Sequence, residues 1–148
     1  MKEEVVRCAR ALLALGRAGE ALAVTASCAA KRDAPAAVLS THAAALKALG
    51  DREKALRFYK RAALAAPDSG VAQHNVAALL GDLHRFKQAR EVAEQALAMG
   101  LRAPETLLVH GRALLGLGAL DEAEMSFRKA LERRFDYPDA HRDLAQLI

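Results

Sequence analysis

Apolar side chains in this chain return in steps of three and four residues, and the steps break and restart at regular places. Leu39, Ala43, Leu46 and Leu49 share one helical face. A break follows at Gly50-Asp51, and the same spacing resumes at Ala55, Phe58, Tyr59 and Ala62. The pattern predicts two helices joined by a tight turn. Gly50 suits a left-handed cap on the first helix, because glycine enters that conformation without a steric cost. Asp51 and Asp121 stand where the second helix wants a side-chain acceptor for its free N–H groups, and Glu124 follows Asp121 at capping-box spacing. Pro35, Pro104 and Pro138 stand at the start of a following helix, where a fixed φ helps and a missing N–H costs nothing.

The same pattern returns every 34 residues without an insertion. One column reads Ala21, Ala55, Ala89, Ala123. Others read Leu15, Leu49, Leu83, Leu117, then Gly16, Gly50, His84, Gly118, then Leu12, Leu46, Leu80, Leu114, Ile148. A column of small residues reads Ala9, Ala43, Ala77, Gly111, Ala145, and another Cys28, Ala62, Ala96, Ala130. Small columns let paired helices touch closely, with Ala43 facing Ala55. The predicted units are 2–35, 36–69, 70–103 and 104–137, with a partial fifth at 138–148, forming a single all-α domain. Such hairpins cannot bury their apolar faces alone, so they stack into an α-solenoid. The final helix is left without a following helix, which favours a chain cut from a longer protein and, as a further expectation, self-association through that helix.

Composition agrees with helices. The 148 residues include 35 Ala and 23 Leu, no Trp, and few β-branched side chains. Charged residues make up 27% and the net charge is +4, a balance that argues against disorder. No apolar run approaches the ~20 residues of a membrane span. The start, MKEEVVRCAR, carries Glu3 and Glu4 and makes a poor signal peptide, so a cytoplasmic location is expected.

Candidate chemistry is sparse. The glycines are cap positions without a phosphate-loop Gly-Lys-Ser/Thr spacing. The five histidines form no HExxH and no Cys/His zinc spacing, so neither a metal nor another cofactor is expected, and no catalytic residue is assigned. His42 and His110 share a column on a packed face, while His74 falls one face away. Cys8 and Cys28 read as small buried thiols, and Met99 and Met125 as packing. Basic residues gather on the second helices at Arg57, Lys60, Arg61, Arg85, Lys87, Arg90, Arg128, Lys129, Arg133 and Arg134. Glu53, Glu91, Glu94, Glu122, Glu124 and Glu132 are interspersed, which predicts a solvated mixed-sign surface. Despite a pI of 9.3, no nucleic acid partner is expected.

These columns resemble the tetratricopeptide repeat family. The second unit carries the resemblance best, with Leu39, Ala43, Leu46, Gly50, Ala55, Tyr59, Ala62 and Pro67. The fourth follows with Leu107, Gly111, Leu114, Gly118, Ala123, Phe127 and Ala130. No unit has Trp at the first signature position, and Thr25 and Ala93 replace the aromatic residue in units one and three. The resemblance implies a right-handed α-solenoid, a non-catalytic scaffold that binds a peptide or protein segment in a concave groove lined by the first helix of each unit. Carried over by position, the lining includes Glu3, Val6, Arg7 and Arg10, then Ala37, Ser40, Thr41, Ala44 and Lys47, then His74, Asn75 and Ala78, then Leu108 and Arg112, and finally Arg142. Asn75 could hold a backbone amide, and Arg10, Lys47, Arg112 and Arg142 could meet carboxylates. One subclass clamps chaperone tails with Lys, Asn, Asn, Lys and Arg. Only Asn75 matches that set, with Ser40, Ala44, Glu105 and Val109 at the other places. The alternative is the amino-terminal accessory region of a larger enzyme, because similar bacterial arrays are fused to sugar transferases, sulfotransferases or iron/2-oxoglutarate oxygenases.

Overall fold

A computed structural model describes residues 2–148. Every regular element among the described residues is an α-helix: α1 (Lys2–Ala14), α2 (Ala18–Ala29), α3 (Ala36–Ala48), α4 (Arg52–Ala65), α5 (Gly70–Asp82), α6 (Phe86–Ala98), α7 (Pro104–Gly116), α8 (Leu120–Arg133) and α9 (Pro138–Ala145). The odd-numbered helices begin at 2, 36, 70, 104 and 138, and the even-numbered ones at 18, 52, 86 and 120. Both series keep the 34-residue interval of the sequence columns.

The turn inside each hairpin is the same closed cap. Gly16, Gly50 and Gly118 hold φ of 75°, 89° and 80°. The N–H of the following residue reaches back to a carbonyl five positions earlier, as from Asp51 to Leu46 at 2.9 Å and from Ala119 to Leu114 at 2.9 Å. His84 takes this place in the third hairpin with φ 58°, the one non-glycine in the left-handed region among the described residues. That conformation costs an L-residue roughly 1–2 kcal/mol. The ring of His84 meets Phe86 edge-on, with centroids 5.4 Å apart.

Capping follows the sequence reading at some positions and departs from it at others. Asp51 caps α4 by accepting the Lys54 N–H at 3.3 Å. Asp121 does not cap α8. Ala119 holds that place and Asp121 lies inside the first turn, because the constant turn length aligns Ala119, not Asp121, with Asp51. Ser69 caps α5 through the Ala72 N–H at 3.2 Å. Pro104 and Pro138 open α7 and α9 at their first residues, whereas Pro35 is the residue before α3.

The chain divides into two compact units, Met1–Pro67 and Asp68–Ile148. In the first, α1 packs on α2 and α3, and α3 packs on α2 and α4. Ala9, Ala21, Ala43 and Ala55 have no exposed surface, so the small columns are where the helices meet. In the second, α5 and α7 each pack on neighbouring helices, and α9 closes against α8. Its core gathers Leu107, Leu108, Leu114, Ala123, Phe127, Ala130, Ala140 and Leu144.

Three sequence expectations about packing are corrected. Met99 and Met125 are 44% and 57% exposed, since one follows the last residue of α6 and the other points outward from α8. Cys8 is exposed and Cys28 half-buried, because Ala9, not Cys8, fills the small column of α1. Leu49 is exposed, because it stands at the C-cap of α3, where the chain leaves the helical face.

Candidate functional site

Within each unit, the first helices of adjacent hairpins meet side by side, and the 34-residue period sets which residues touch. A residue near the middle of one first helix comes beside the residue about 31 positions later. Arg112 on α7 donates through Nε to Asp143 Oδ2 on α9 at 2.5 Å. His74 on α5 and Thr106 on α7 are hydrogen-bonded at 3.0 Å. The same step carries Arg10 of α1 to Thr41 of α3. Thr41 is uncharged, buried, and donates its hydroxyl to the Ala37 carbonyl at 2.7 Å. Arg10 therefore meets no carboxylate where Arg112 meets one.

This difference separates the linings of the two units. In the second unit the two arginines of the expected lining are already paired. Arg112 pairs with the buried Asp143, and Arg142 pairs with Asp139 at 2.8 Å. In the first unit, Arg7 and Arg10 are exposed and form no ion pair among the described residues. They line a cleft of about 510 Å³ between α1 and the start of α3. Pro35 and Ala37 supply its accessible apolar surface over the buried Val6 and Val38, and Lys2 and Glu3 line it as well.

The other lining residues differ in what they can offer. Ser40 and Ala44 are half-buried on α3, and Lys47 is exposed near its end. Asn75 and Ala78 are half-buried on α5, and the Asn75 amide makes no hydrogen bond among the described residues. Thr41 and Leu108 are buried, so they back the surface and present little of it. Sequence reasoning missed Asp143 as the partner of Arg112. The step of 31 residues was the signal that could have found it.

Two histidines of one column do structural work. His42 is buried on α3, hydrogen-bonded to Thr25 at 2.7 Å, with its ring edge-on to Phe58 at 4.5 Å. Thr25 stands in the family's aromatic column, and the imidazole beside it accounts for a polar residue there. Burial holds the His42 imidazole below the ordinary histidine value, and the nearby Arg61 pushes the same way. The unfolded imidazole takes up a proton near pH 6.5 while the folded one resists. This contribution is complete above pH 6.5 and is lost as pH falls below it, by at most about 1.4 kcal/mol per unit. Urea unfolding at pH 7.0 and 5.5 should show the loss in the wild-type chain and a smaller one in His42→Leu. Equal losses would refute the assignment.

His110 bridges three helices. Its Nδ1 lies 2.8 Å from Ser126 Oγ on α8 and its Nε2 3.2 Å from Glu94 on α6. The order hydroxyl–imidazole–carboxylate is that of a nucleophile relay. Ser126 is buried within the hairpin, however, so its hydroxyl faces packed side chains and not a substrate. The set ties α6, α7 and α8 together. Among the described residues no trio of His, Cys, Asp or Glu is placed to hold a metal ion, and no helix is long and apolar enough to cross a membrane.

Helix pairs at a constant interval, each closed by the same left-handed turn, define an all-α hairpin-repeat protein of the solenoid class. The tetratricopeptide repeat model matches residues 36–69 and 104–137, the second and fourth of the sequence-defined units. Those two units are tetratricopeptide repeats by that match. A comparison with curated protein sequences gives no match. Among solved structures, MamA (41-end) from Desulfovibrio magneticus RS-1 is 20% identical, with a TM-score of 0.86 over 99% of this chain and 82% of that one. TTC0263, a thermophilic TPR protein of Thermus thermophilus, is 25% identical, with a TM-score of 0.82 over 99% and 81%. The first TPR of Spaghetti (RPAP3), bound to the HSP90 peptide SRMEEVD, is 23% identical, with a TM-score of 0.73 over 76% and 89%.

Proposed function

We propose that the chain is a non-catalytic scaffold that holds an extended protein segment against its first helices, with the cleft between α1 and α3 as the principal seat. The observation that carries this reading is the pair Arg7 and Arg10, exposed beside apolar Pro35 and Ala37 and forming no ion pair among the described residues. An arginine fork offers two parallel donors to a carboxylate, so a segment with an acidic side chain gains both charge and geometry there. The unengaged Asn75 amide offers a donor and an acceptor to a peptide backbone. The peptide-bound state of the RPAP3 neighbour supports the same class of function. Ser40, Ala44, Glu105 and Val109 leave the chaperone-tail clamp incomplete, which directs the reading to a different segment.

The test is an array of peptides about eight residues long, probed with the purified chain. Retained peptides should be enriched in Asp and Glu. The double variant Arg7→Glu/Arg10→Glu should weaken their binding at least about tenfold, or 1.4 kcal/mol. Retention unchanged by that variant would overturn the cleft as the seat.

A further inference from the structure

Arg61 and Lys129 occupy one column two repeats apart, and the difference between them opens a second cleft. In the first unit Arg61 reaches back to the C-terminal end of α2. Its Nη1 donates to the Ala29 carbonyl at 3.1 Å and its Nη2 to the Lys31 carbonyl at 2.9 Å. The guanidinium also lies 5.3 Å from the Phe58 ring centre. The protein's own side chain thus spans the end of the notch between α2 and α4. Lys129 has no planar fork to span two carbonyls, and it stays exposed. The corresponding notch between α6 and α8 is open, with a volume of about 440 Å³.

The lining of this notch is unbalanced. Leu97 and Leu107 form its apolar part, and Arg102, Lys129, Glu132 and Arg133 its charged part. Neighbouring arginines find acids: Arg128 bonds Glu124, Arg134 bonds Glu105, and Arg90 lies 3.7 Å from Glu94. Arg102, Lys129 and Arg133 form no ion pair among the described residues, although Glu132 stands on the same rim. Three cations left open around an apolar floor are a complementary surface for an acidic partner.

We propose that this cleft is a second docking site, which seats an acidic protein segment carrying one leucine-sized side chain. The apolar side chain rests on Leu97 and Leu107, and carboxylates on either side of it meet Arg102, Lys129 and Arg133. Glu132 selects the form of the ligand. A compact, doubly charged phosphate would meet its repulsion directly, whereas carboxylates spaced along a chain can pass on either side. The site lies on the second helices and the loop after α6, and it stands whether or not a segment binds between α1 and α3.

The experiment titrates the ¹⁵N-labelled chain with the blocked peptide Glu-Glu-Leu-Glu-Glu. Saturable amide shifts are expected at Arg102, Lys129 and Arg133. Lys129→Glu/Arg133→Glu should weaken them at least about tenfold, or 1.4 kcal/mol, and replacing the peptide's Leu by Gly should weaken them similarly. Arg7→Glu/Arg10→Glu should leave the shifts at Arg102 in place, which separates this site from the first. Arg102→Glu, in the loop, serves as a second variant should the helical pair perturb α8. The proposal falls with shifts confined to α1 and α3, or with indifference to these reversals. It falls equally with full competition by inorganic phosphate, or with the same shifts appearing when the chain alone is concentrated, which would make a second copy the occupant.

Discussion

Phe127→Ala is expected to cost the second unit about 3–5 kcal/mol, the usual range for deleting a fully buried aromatic ring. Phe127 is 0% exposed and lies in the cluster formed by Leu107, Leu108, Leu114, Ala123 and Ala130. The ring is the largest fully buried side chain among the described residues, and its removal leaves a cavity that helices with little freedom cannot collapse. Stability in repeat proteins is built from units and nearest-neighbour interfaces, so the loss should concentrate where the ring packs. Amide exchange in α7 and α8 should accelerate by roughly two to four orders of magnitude, with one order per 1.36 kcal/mol. The first unit, Met1–Pro67, should keep its protection. A loss below about 1 kcal/mol, or uniform acceleration in both units, would refute this account.

The period was the legible part of the chain, and its reach can be followed residue by residue. It placed every helix start, because each hairpin needs the same number of residues to turn, pack and return. The glycine column marked the left-handed turns at Gly16, Gly50 and Gly118, and the structure adds His84, the non-glycine of that column, in the same conformation. The period misled where local chemistry was given more weight than position. Asp121 has the right side chain for a cap, but the cap column passes through Ala119. Met125 is apolar, but its place on α8 faces outward.

The site was legible in outline. The family resemblance set Arg7 and Arg10 on the expected lining of the first unit, and both line the cleft between α1 and α3. What the columns did not carry was pairing. Arg112 and Arg10 share a column, yet Arg112 meets Asp143 while Arg10 forms no ion pair among the described residues, because the partner lies in the next hairpin at a different column, where the first unit has Thr41. The notch at Lys129 escaped for a similar reason. Basic residues interspersed with Glu read as a solvated face, and only the fork of Arg61 on the α2 carbonyls shows that one member of the column fills a space the other leaves open.

Gly111→Val is expected to destabilise the second unit by about 1–3 kcal/mol, although valine is the better helix former. A Cβ built on Gly111 would lie 2.5 Å from Cε1 and 2.7 Å from Cδ1 of Phe127. Real Cβ atoms do not approach a carbon so closely, so either the ring or the helix must shift. The ring cannot swing outward, since it is buried on every side. Gly111→Ala carries the same clash in smaller form, set against a propensity gain of about 1 kcal/mol. Its sign depends on the ring, and a double-mutant cycle reads that dependence. In a Phe127→Leu background the smaller side chain should admit the methyl group, so that Gly111→Ala becomes neutral or stabilising there. A coupling energy of about 1–3 kcal/mol is expected from urea unfolding of the four proteins. Additive single effects would mean that the small column at Gly111 is set by something other than the aromatic ring seated against it.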